Sequence, residues 1–479
     1  MNPLRAALLL ACLFATLPAA ASQDTRQLDA IPMVATDAAS VSAAVAIARD
    51  IPRRFAVPQP LTLDVADGAW TTDGDHAVWQ LRLFSADARQ LAVAVSDIRL
   101  PDGGRLSWQP IDGGTPGHDF PDHADGLWWS PFVPGAWGLL TATLPVAGRD
   151  TFALTVTTVF HAFVGEGASM AKAAGSCNVD VACPQANAWR LQQAATVRLT
   201  IANTALCSGT LVSNTANNGR PLILTANHCG ITAGNARSTT ALFNFERDTC
   251  GSGVGRLSDT VEGADLVGTA VEADTALIVL RSRPPAAFGA RYSGWNARPT
   301  SQGAPQSGAA LHHPDGDVKK ISLYGTPARA VDNVQIGGLL GGFQSDAWGV
   351  RWTQGTTEQG SSGGGLFDQS GLLVGVLSGG TASCSNLDGE DYFGRLERAF
   401  STSSAIANAL DPVGNGTARL SSTSNDGGLP ALSDGGGGGG GLSLLAGLAA
   451  GLWWRRRRAV AATTATSATA RVPRRARST

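Results

Sequence analysis

The chain has 479 residues, of which 43% are hydrophobic and 15% charged, with a formal net charge of −2. That length holds two globular domains plus tails, and the near-neutral charge excludes a whole-protein affinity for nucleic acid. Lysine occurs only as Lys172, Lys319 and Lys320 among 36 basic residues, a bias that an arginine-favouring, GC-rich genome accounts for.

The N-terminus reads Met1-Asn2-Pro3-Leu4-Arg5, then an apolar run from Ala6 to Thr16, then Pro18-Ala19-Ala20-Ala21. A positive start, a short apolar run and small residues predict a secretory signal over residues 1–21, cut by signal peptidase after Ala21. The run is too short to span a membrane. Cys12 leaves with it, and Cys177, Cys183, Cys207, Cys229, Cys250 and Cys384 remain. An even count in an exported chain reads as three disulfides. A metal site is the rival, but no Cys-x-x-Cys pair or Cys/His cluster exists beyond His228-Cys229. No metal or cofactor is expected.

Residues 22–172 contain no cysteine and read as an antiparallel β domain behind a partly helical stretch, Ala38–Ile51. Val78–Phe84 alternates apolar and polar side chains, Leu91–Val95 and Phe152–Val156 are further strands, and turns such as Pro101-Asp102-Gly103-Gly104 separate them. Trp128-Trp129-Ser130-Pro131 reads as core rather than as a sugar-stacking platform. His118, His123 and His161 read as structural or solvent-facing. The small residues Gly165–Ser176, which include Lys172, form a linker suited to cleavage.

Residues 173–415 alternate short apolar runs with Gly/Asn/Ser/Asp turns, predicting an all-β barrel protein closed by a helix at Ser404–Leu410. Three stretches carry chemistry. Ser362 lies among glycines in Gly360-Ser361-Ser362-Gly363-Gly364, where the backbone can turn two N–H groups toward an oxyanion. His228 follows the strand-like Pro221–Leu224, and Asp274 precedes Thr275–Leu280. The order His, Asp, Ser is that of chymotrypsin-type proteases rather than of subtilisins or α/β-hydrolases.

Residues 416–441 form a Ser/Gly-rich linker ending in an unbroken glycine run, Gly435–Gly441. The apolar residues 442–454 follow, with Trp453-Trp454 and then four arginines. With the glycines this is enough for a short membrane segment, and the arginines place its end inward. Residues 455–479 are a basic tail.

Taken together, Gly175-Ser176-Cys177-Asn178-Val179-Asp180, Cys207–Val212, Leu224–Gly230, Leu311-His312-His313-Pro314, Gly360–Gly363, Gly379-Gly380 before Cys384, and Asp391–Arg395 resemble the bacterial lysyl endopeptidases, secreted trypsin-like serine proteases. Trp129–Gly135 is similar to the family's propeptide, and the C-terminal end resembles glycine-run signals read by a rhomboid-type sortase in Gram-negative bacteria. The resemblance implies an all-β, trypsin-like double barrel preceded by a β-rich propeptide domain. It also implies the disulfides Cys177–Cys384, Cys183–Cys250 and Cys207–Cys229. A loop the size of the last constrains the unfolded chain by about 3 kcal/mol in the entropic account.

Carried over by position, Ser362 is the nucleophile, His228 the general base and Asp274 the group that fixes the imidazole. The N–H groups of Gly360 and Ser362 form the oxyanion hole. Ser378, Gly379 and Gly380 pair the substrate backbone as an added strand, and Asp391 sits at the floor of the P1 pocket, with Glu358 a competing acid. Ser361 replaces the aspartate that animal trypsins pair with a new N-terminal amine, so activation follows from removal of residues 22–172 by cleavage after Lys172. Ser378 stands where the family packs a histidine near the catalytic imidazole, and Trp348 is misplaced for the family's tryptophan. His312 and His313 match the family without a catalytic role.

The implied function is an exported endopeptidase, secreted or held at the cell surface, cutting proteins or peptides after Lys and monomeric as a catalytic unit. Broader specificity for Arg or mixed residues is the alternative within the class. A non-catalytic display protein on a protease fold is the alternative outside it.

Overall fold

The computed structural model describes residues 28–49, 54–111, 118–120, 127–164, 174–337 and 342–421. The signal segment 1–21, His123, Lys172, the apolar run 442–454 and the basic tail lie outside them. Among the described residues no helix is long and apolar enough to cross a membrane.

The N-terminal region is two facing sheets. One orders Met33–Ala35, His76–Phe84, Trp137–Pro145, Arg105–Pro110 and His118–Asp119; the other orders Ala56–Asp64, Ala153–Ala162, Gln90–Arg99 and Trp128–Trp129. Alternation along His76–Phe84 buries Ala77, Trp79, Leu81 and Leu83 on one face, as a two-residue period requires. These meet Val93, Val95, Trp108, Leu140 and Val156 in one core. Pairing is antiparallel apart from Met33–Ala35, which runs parallel to its neighbour. The expected helix is present at Ala38–Arg49. Trp128 packs against the core, and His161 is buried with Nδ1 2.8 Å from the Ser85 hydroxyl.

From Val179 on the chain forms two largely antiparallel sheets with almost no long helix. The first orders Thr260–Glu262, Thr240–Leu242, Thr196–Ile201, Ala205–Val212, Leu222–Ala226, Thr275–Leu280 and Ala264–Ala270. The main path of the second orders Val179–Asp180, Lys320–Tyr324, Gly308–His312, Gly365–Asp368, Leu373–Gly380, Asp391–Arg395, Phe343–Val350 and Arg329–Ile336. Each sheet has its own core, and a third core joins them. In that shared core Val212, Leu222, Leu224 and Leu277 meet Leu311, Phe367, Leu373 and Val376. This is the trypsin-like double-barrel architecture. The helix Ser404–Leu410 closes it, burying Ile406 and Leu410 in the shared core.

All three expected disulfides form: Cys177–Cys384, Cys183–Cys250 and Cys207–Cys229. The N-terminal region touches the first sheet at the Ile201–Ala205 turn. There Phe55 N–H donates to the Thr204 carbonyl at 3.1 Å, Asn203 Nδ2 donates to the Ser130 carbonyl at 3.0 Å, and Leu206 packs with Phe55, Ala56 and Ala162.

Candidate active site

Strand register brings His228 and Asp274 together. Ala226 pairs with Thr275 in neighbouring antiparallel strands, so the residues just beyond each strand end face one another. Asn227 N–H donates to the Asp274 carbonyl at 2.8 Å. Asn227–Cys229 form a single 3-10 turn that Gly230 ends in a left-handed conformation and the Cys207–Cys229 bridge fastens. Asp274 itself is left-handed, at φ 43°. Aspartate tolerates that region better than most residues, and the kink turns its carboxylate back on His228. Oδ2 lies 2.6 Å from His228 Nδ1, and Oδ1 accepts the His228 backbone N–H at 2.8 Å. Asp274 is 1% exposed, so its carboxylate is shielded from water while the imidazole keeps an open edge.

Ser362 lies in the turn before Gly365–Asp368 of the other sheet, and its backbone reaches Cys229, the neighbour of His228. Its carbonyl accepts Ser208 N–H at 2.7 Å and lies 3.9 Å from Cys229 Sγ, while the Thr225 hydroxyl donates to the Ser208 carbonyl. Residues 360–362 are fixed from behind. The Gln359 carbonyl accepts Asp315 N–H, the Gly360 carbonyl accepts the Ser208 hydroxyl at 3.0 Å, and the Ser361 carbonyl accepts Gly364 N–H at 2.8 Å. In a trans peptide the next N–H points opposite its carbonyl, so the N–H groups of Gly360 and Ser362 turn away from these anchors. Gly360 has φ +85°, and a Cβ there would lie 2.8 Å from Gly316 N. Only glycine fits.

Ser361 is a structural pivot. Its oxygen accepts Glu358 N–H at 3.1 Å and lies 2.7 Å from His312 Nδ1; His312 Nε2 lies 3.1 Å from the Ser322 hydroxyl, which donates to the Thr356 carbonyl at 2.6 Å. The Ser322 proton is thus spent on Thr356, so Nε2–H donates to Ser322 and the Ser361 hydroxyl donates to Nδ1. Burial first, and Lys320 second, push the His312 imidazole down to about 3, which keeps it in this neutral tautomer.

Glu358, the competing acid, is engaged with the N-terminal strap. Its Oε2 accepts Gly175 N–H at 2.9 Å and Asn178 Nδ2–H at 2.8 Å, tying the N-terminal strap to the turn before Ser362. Glu358→Ala should lower stability by about 2–4 kcal/mol through two charge-assisted hydrogen bonds, read as a lower urea midpoint at unchanged slope.

Asp391 is fully buried beside Gly380, where a Cβ would lie 2.2 Å from Asp391 Oδ1. Trp352 Nε1–H and the Thr357 hydroxyl donate to Oδ2 at 2.7 Å each, and Ala382 N–H donates to Oδ1 at 3.2 Å. Burial outweighs these donors and raises the carboxyl to about 6. Glu390, next in sequence, is paired instead with Arg329 at 2.8 Å. Ser378 is buried, and its hydroxyl lacks a hydrogen-bond partner among the described residues. Gly379 and Gly380 complete its strand.

Two neighbours of these residues are not legible in the sequence. Trp352 supplies a donor to Asp391. Phe343 stacks on His228 with ring centroids 5.1 Å apart and planes 22° from parallel; it pairs with Ile336 across a strand. Trp348 packs elsewhere, in the second-sheet core under Arg395. The glycine-rich stretch Gly337–Gly342 hides the register that brings Phe343 to the imidazole. Phe343→Ala should lower kcat/KM about 2- to 10-fold, the worth of one aromatic contact, in steady-state ester hydrolysis.

Residues 171–394 match the family model described as the lysyl endopeptidase C-terminal domain. Over this region the chain is similar to the lysyl endopeptidases. A lysyl endopeptidase of Pseudomonas aeruginosa is 30% identical over 247 residues, covering 48% of this chain and 51% of that one. The chain therefore spans about half the length of that curated relative. Among solved structures, the active form of the Rv3671c protease from M. tuberculosis is 18% identical, covers 46% of this chain and 84% of that one, and has a TM-score of 0.31. The thermostable serine protease AL20 from an extremophilic microorganism is 17% identical, covers 47% and 99%, and scores 0.32. The double barrel is defined by the strand order of residues 179–420.

Proposed function

We propose that the protein is an exported serine endopeptidase that hydrolyses peptide bonds after Lys through an acyl-enzyme. The observation that carries this reading is the His228–Asp274 pair with its buried carboxylate, next to a serine turn whose carbonyls are all anchored behind it. Ser362 Oγ attacks the scissile carbonyl. His228 takes its proton and later gives it to the leaving amine, and Asp274 holds the tautomer and stabilises the imidazolium. The N–H groups of Gly360 and Ser362 bind the oxyanion. Ser378, Gly379 and Gly380 pair the substrate backbone, and Asp391 receives the lysyl ammonium.

Residues 1–21 act as a signal for signal peptidase, and residues 22–172 act as a propeptide that the enzyme removes from itself by cutting after Lys172. The glycine run and the residues after it are a sorting and membrane-anchoring segment for a rhomboid-type sortase, and the catalytic unit is a monomer. Intact His228, Asp274 and Ser362 speak against a display protein. The test is a matched series of Lys, Arg and Leu esters, together with stoichiometric inactivation by a serine-directed organophosphate. Lys above Arg by tenfold or more in kcat/KM is the expected result. Equal rates for Lys and Arg would sink the lysine claim, and absence of organophosphate labelling at Ser362 would sink the protease reading.

A further inference from the structure

The folded catalytic region hides both of its lysines. The Lys319 side chain is fully buried, with Nζ donating to the Gln193 carbonyl at 2.8 Å and to Glu246 Oε2 at 3.1 Å. The Lys320 ammonium pairs with Asp180 and lies 3.6 Å from Asp317, its side chain 6% exposed. The backbone is as inaccessible as the side chains. Lys320 opens the strand Lys320–Tyr324, flanked on one side by Asp180 and on the other by His312. A serine protease takes its substrate as an extended segment added to a strand of its cleft, and a residue already paired on both edges cannot be presented that way. Exposed arginines are plentiful by contrast: the Arg256 side chain is 68% exposed and that of Arg329 58%.

The cover over Lys320 is the short N-terminal strap Val179–Asp180, and it is removable in principle. Its hold on the domain comes from two strand registers, the Asp180 ion pairs and the disulfides on either side of it, Cys177–Cys384 and Cys183–Cys250. We propose that Lys319-Lys320 is a conditional self-cleavage site, hidden in the folded domain by the Val179–Asp180 strap on one edge and by Gln193, Glu246 and His312 elsewhere. It opens to a second copy of the enzyme when loss of the flanking disulfides frees the strap and the packing around it. The inference rests on the reading that the enzyme cuts after Lys.

Hydrolysis after Lys319 or Lys320 consumes one water and leaves a lysyl carboxylate and a new amine on Lys320 or Ile321. The cut falls between His312 and Ser322, whose side chains together support Ser361 ahead of the nucleophile. A copy that loses its strap is thereby inactivated irreversibly, while a native copy survives at any concentration. Residues 22–171 contain no lysine, so the same activity leaves the segment ahead of Lys172 in one piece.

The experiment uses full-length Ser362→Ala protein as an inert substrate for the mature active enzyme. It is offered either native, or reduced and alkylated, and fragments are identified by mass and N-terminal sequencing. The native chain should be cut only after Lys172. The reduced chain should also be cut after Lys319 or Lys320, about 100-fold faster than any such cut in the native chain, since cleavage of a folded chain is limited by its opening. Reduced chain carrying Lys319→Arg and Lys320→Arg should be cut only after Lys172, a result that needs no folding. Cutting of native chain at Lys319-Lys320 at the reduced-chain rate would overturn the proposal, as would a reduced chain cut after Lys172 but intact there. Cuts after arginines, by contrast, would remove the Lys reading itself and the proposal with it; the ester series reports that failure separately.

Discussion

Asp274→Asn should lower kcat toward a lysyl ester about 10⁴-fold, with KM near its original value and the three disulfides intact. The carboxylate accepts twice from the same residue, at the His228 backbone N–H and at Nδ1. An asparagine has one acceptor and one donor in that plane. It must either face its amide to the backbone N–H, or keep that bond and push the imidazole into the tautomer with Nδ1 unprotonated. The second choice places the ring proton on Nε2, where a base toward Ser362 must be bare. Because Asp274 is 1% exposed, water cannot repair the mismatch at its side chain. The imidazolium that forms during attack also loses its counter-charge in a place of low dielectric. Steady-state kinetics across pH would read the loss, and a decrease below tenfold would remove Asp274 from the proposed mechanism.

How much of this was legible beforehand depended on whether a residue's role is local or assembled. The strands at His76–Phe84 and Leu222–Ala226, the helix Ala38–Arg49 and the helix Ser404–Leu410 follow from hydrophobic period and turn residues, which act within a few positions. The His228–Asp274 contact was readable because each residue borders an apolar strand, and pairing those strands leaves the two little freedom. The disulfides came from the resemblance, since six cysteines alone admit 15 pairings. Glu358 reads as a rival pocket acid in the sequence because its partners, Gly175 and Asn178, lie about 180 residues away. Phe343 and Trp352 were missed for a related reason. One depends on a strand register beyond a glycine-rich stretch, and the other on an indole crossing to the adjacent strand, neither of which has a sequence period. His312, read without a catalytic role, is 1% exposed and held between two serine hydroxyls, so it supports the Gly360–Ser362 turn through Ser361.

Asp391→Asn should reduce kcat/KM for lysyl substrates about 10²- to 10³-fold while changing that for a leucyl ester far less, because a buried charge pair is lost in the first case only. The native carboxylate is already held by three donors, so its position should survive the change. Its charge will not. Burial raises the carboxyl from 3.8 to about 6, so the pocket is neutral in acid and becomes anionic as pH rises through about 6. Lysyl kcat/KM should therefore climb through that value, and in Asp391→Asn this component should vanish from the profile. Stability runs the opposite way. Between about pH 4 and pH 6 the folded chain holds a proton that the unfolded chain has released, so this group's contribution to stability falls as pH rises, by about 3 kcal/mol in all. Holding an anion ready for the substrate thus costs the fold stability at the pH where the enzyme would work, and a bound lysyl ammonium should return part of it. A lysine-mimicking amine added at pH 8 should raise the Tm of wild type and leave Asp391→Asn unmoved. Equal shifts in both would mean that the ammonium binds elsewhere and that Asp391 is only a buried structural acid.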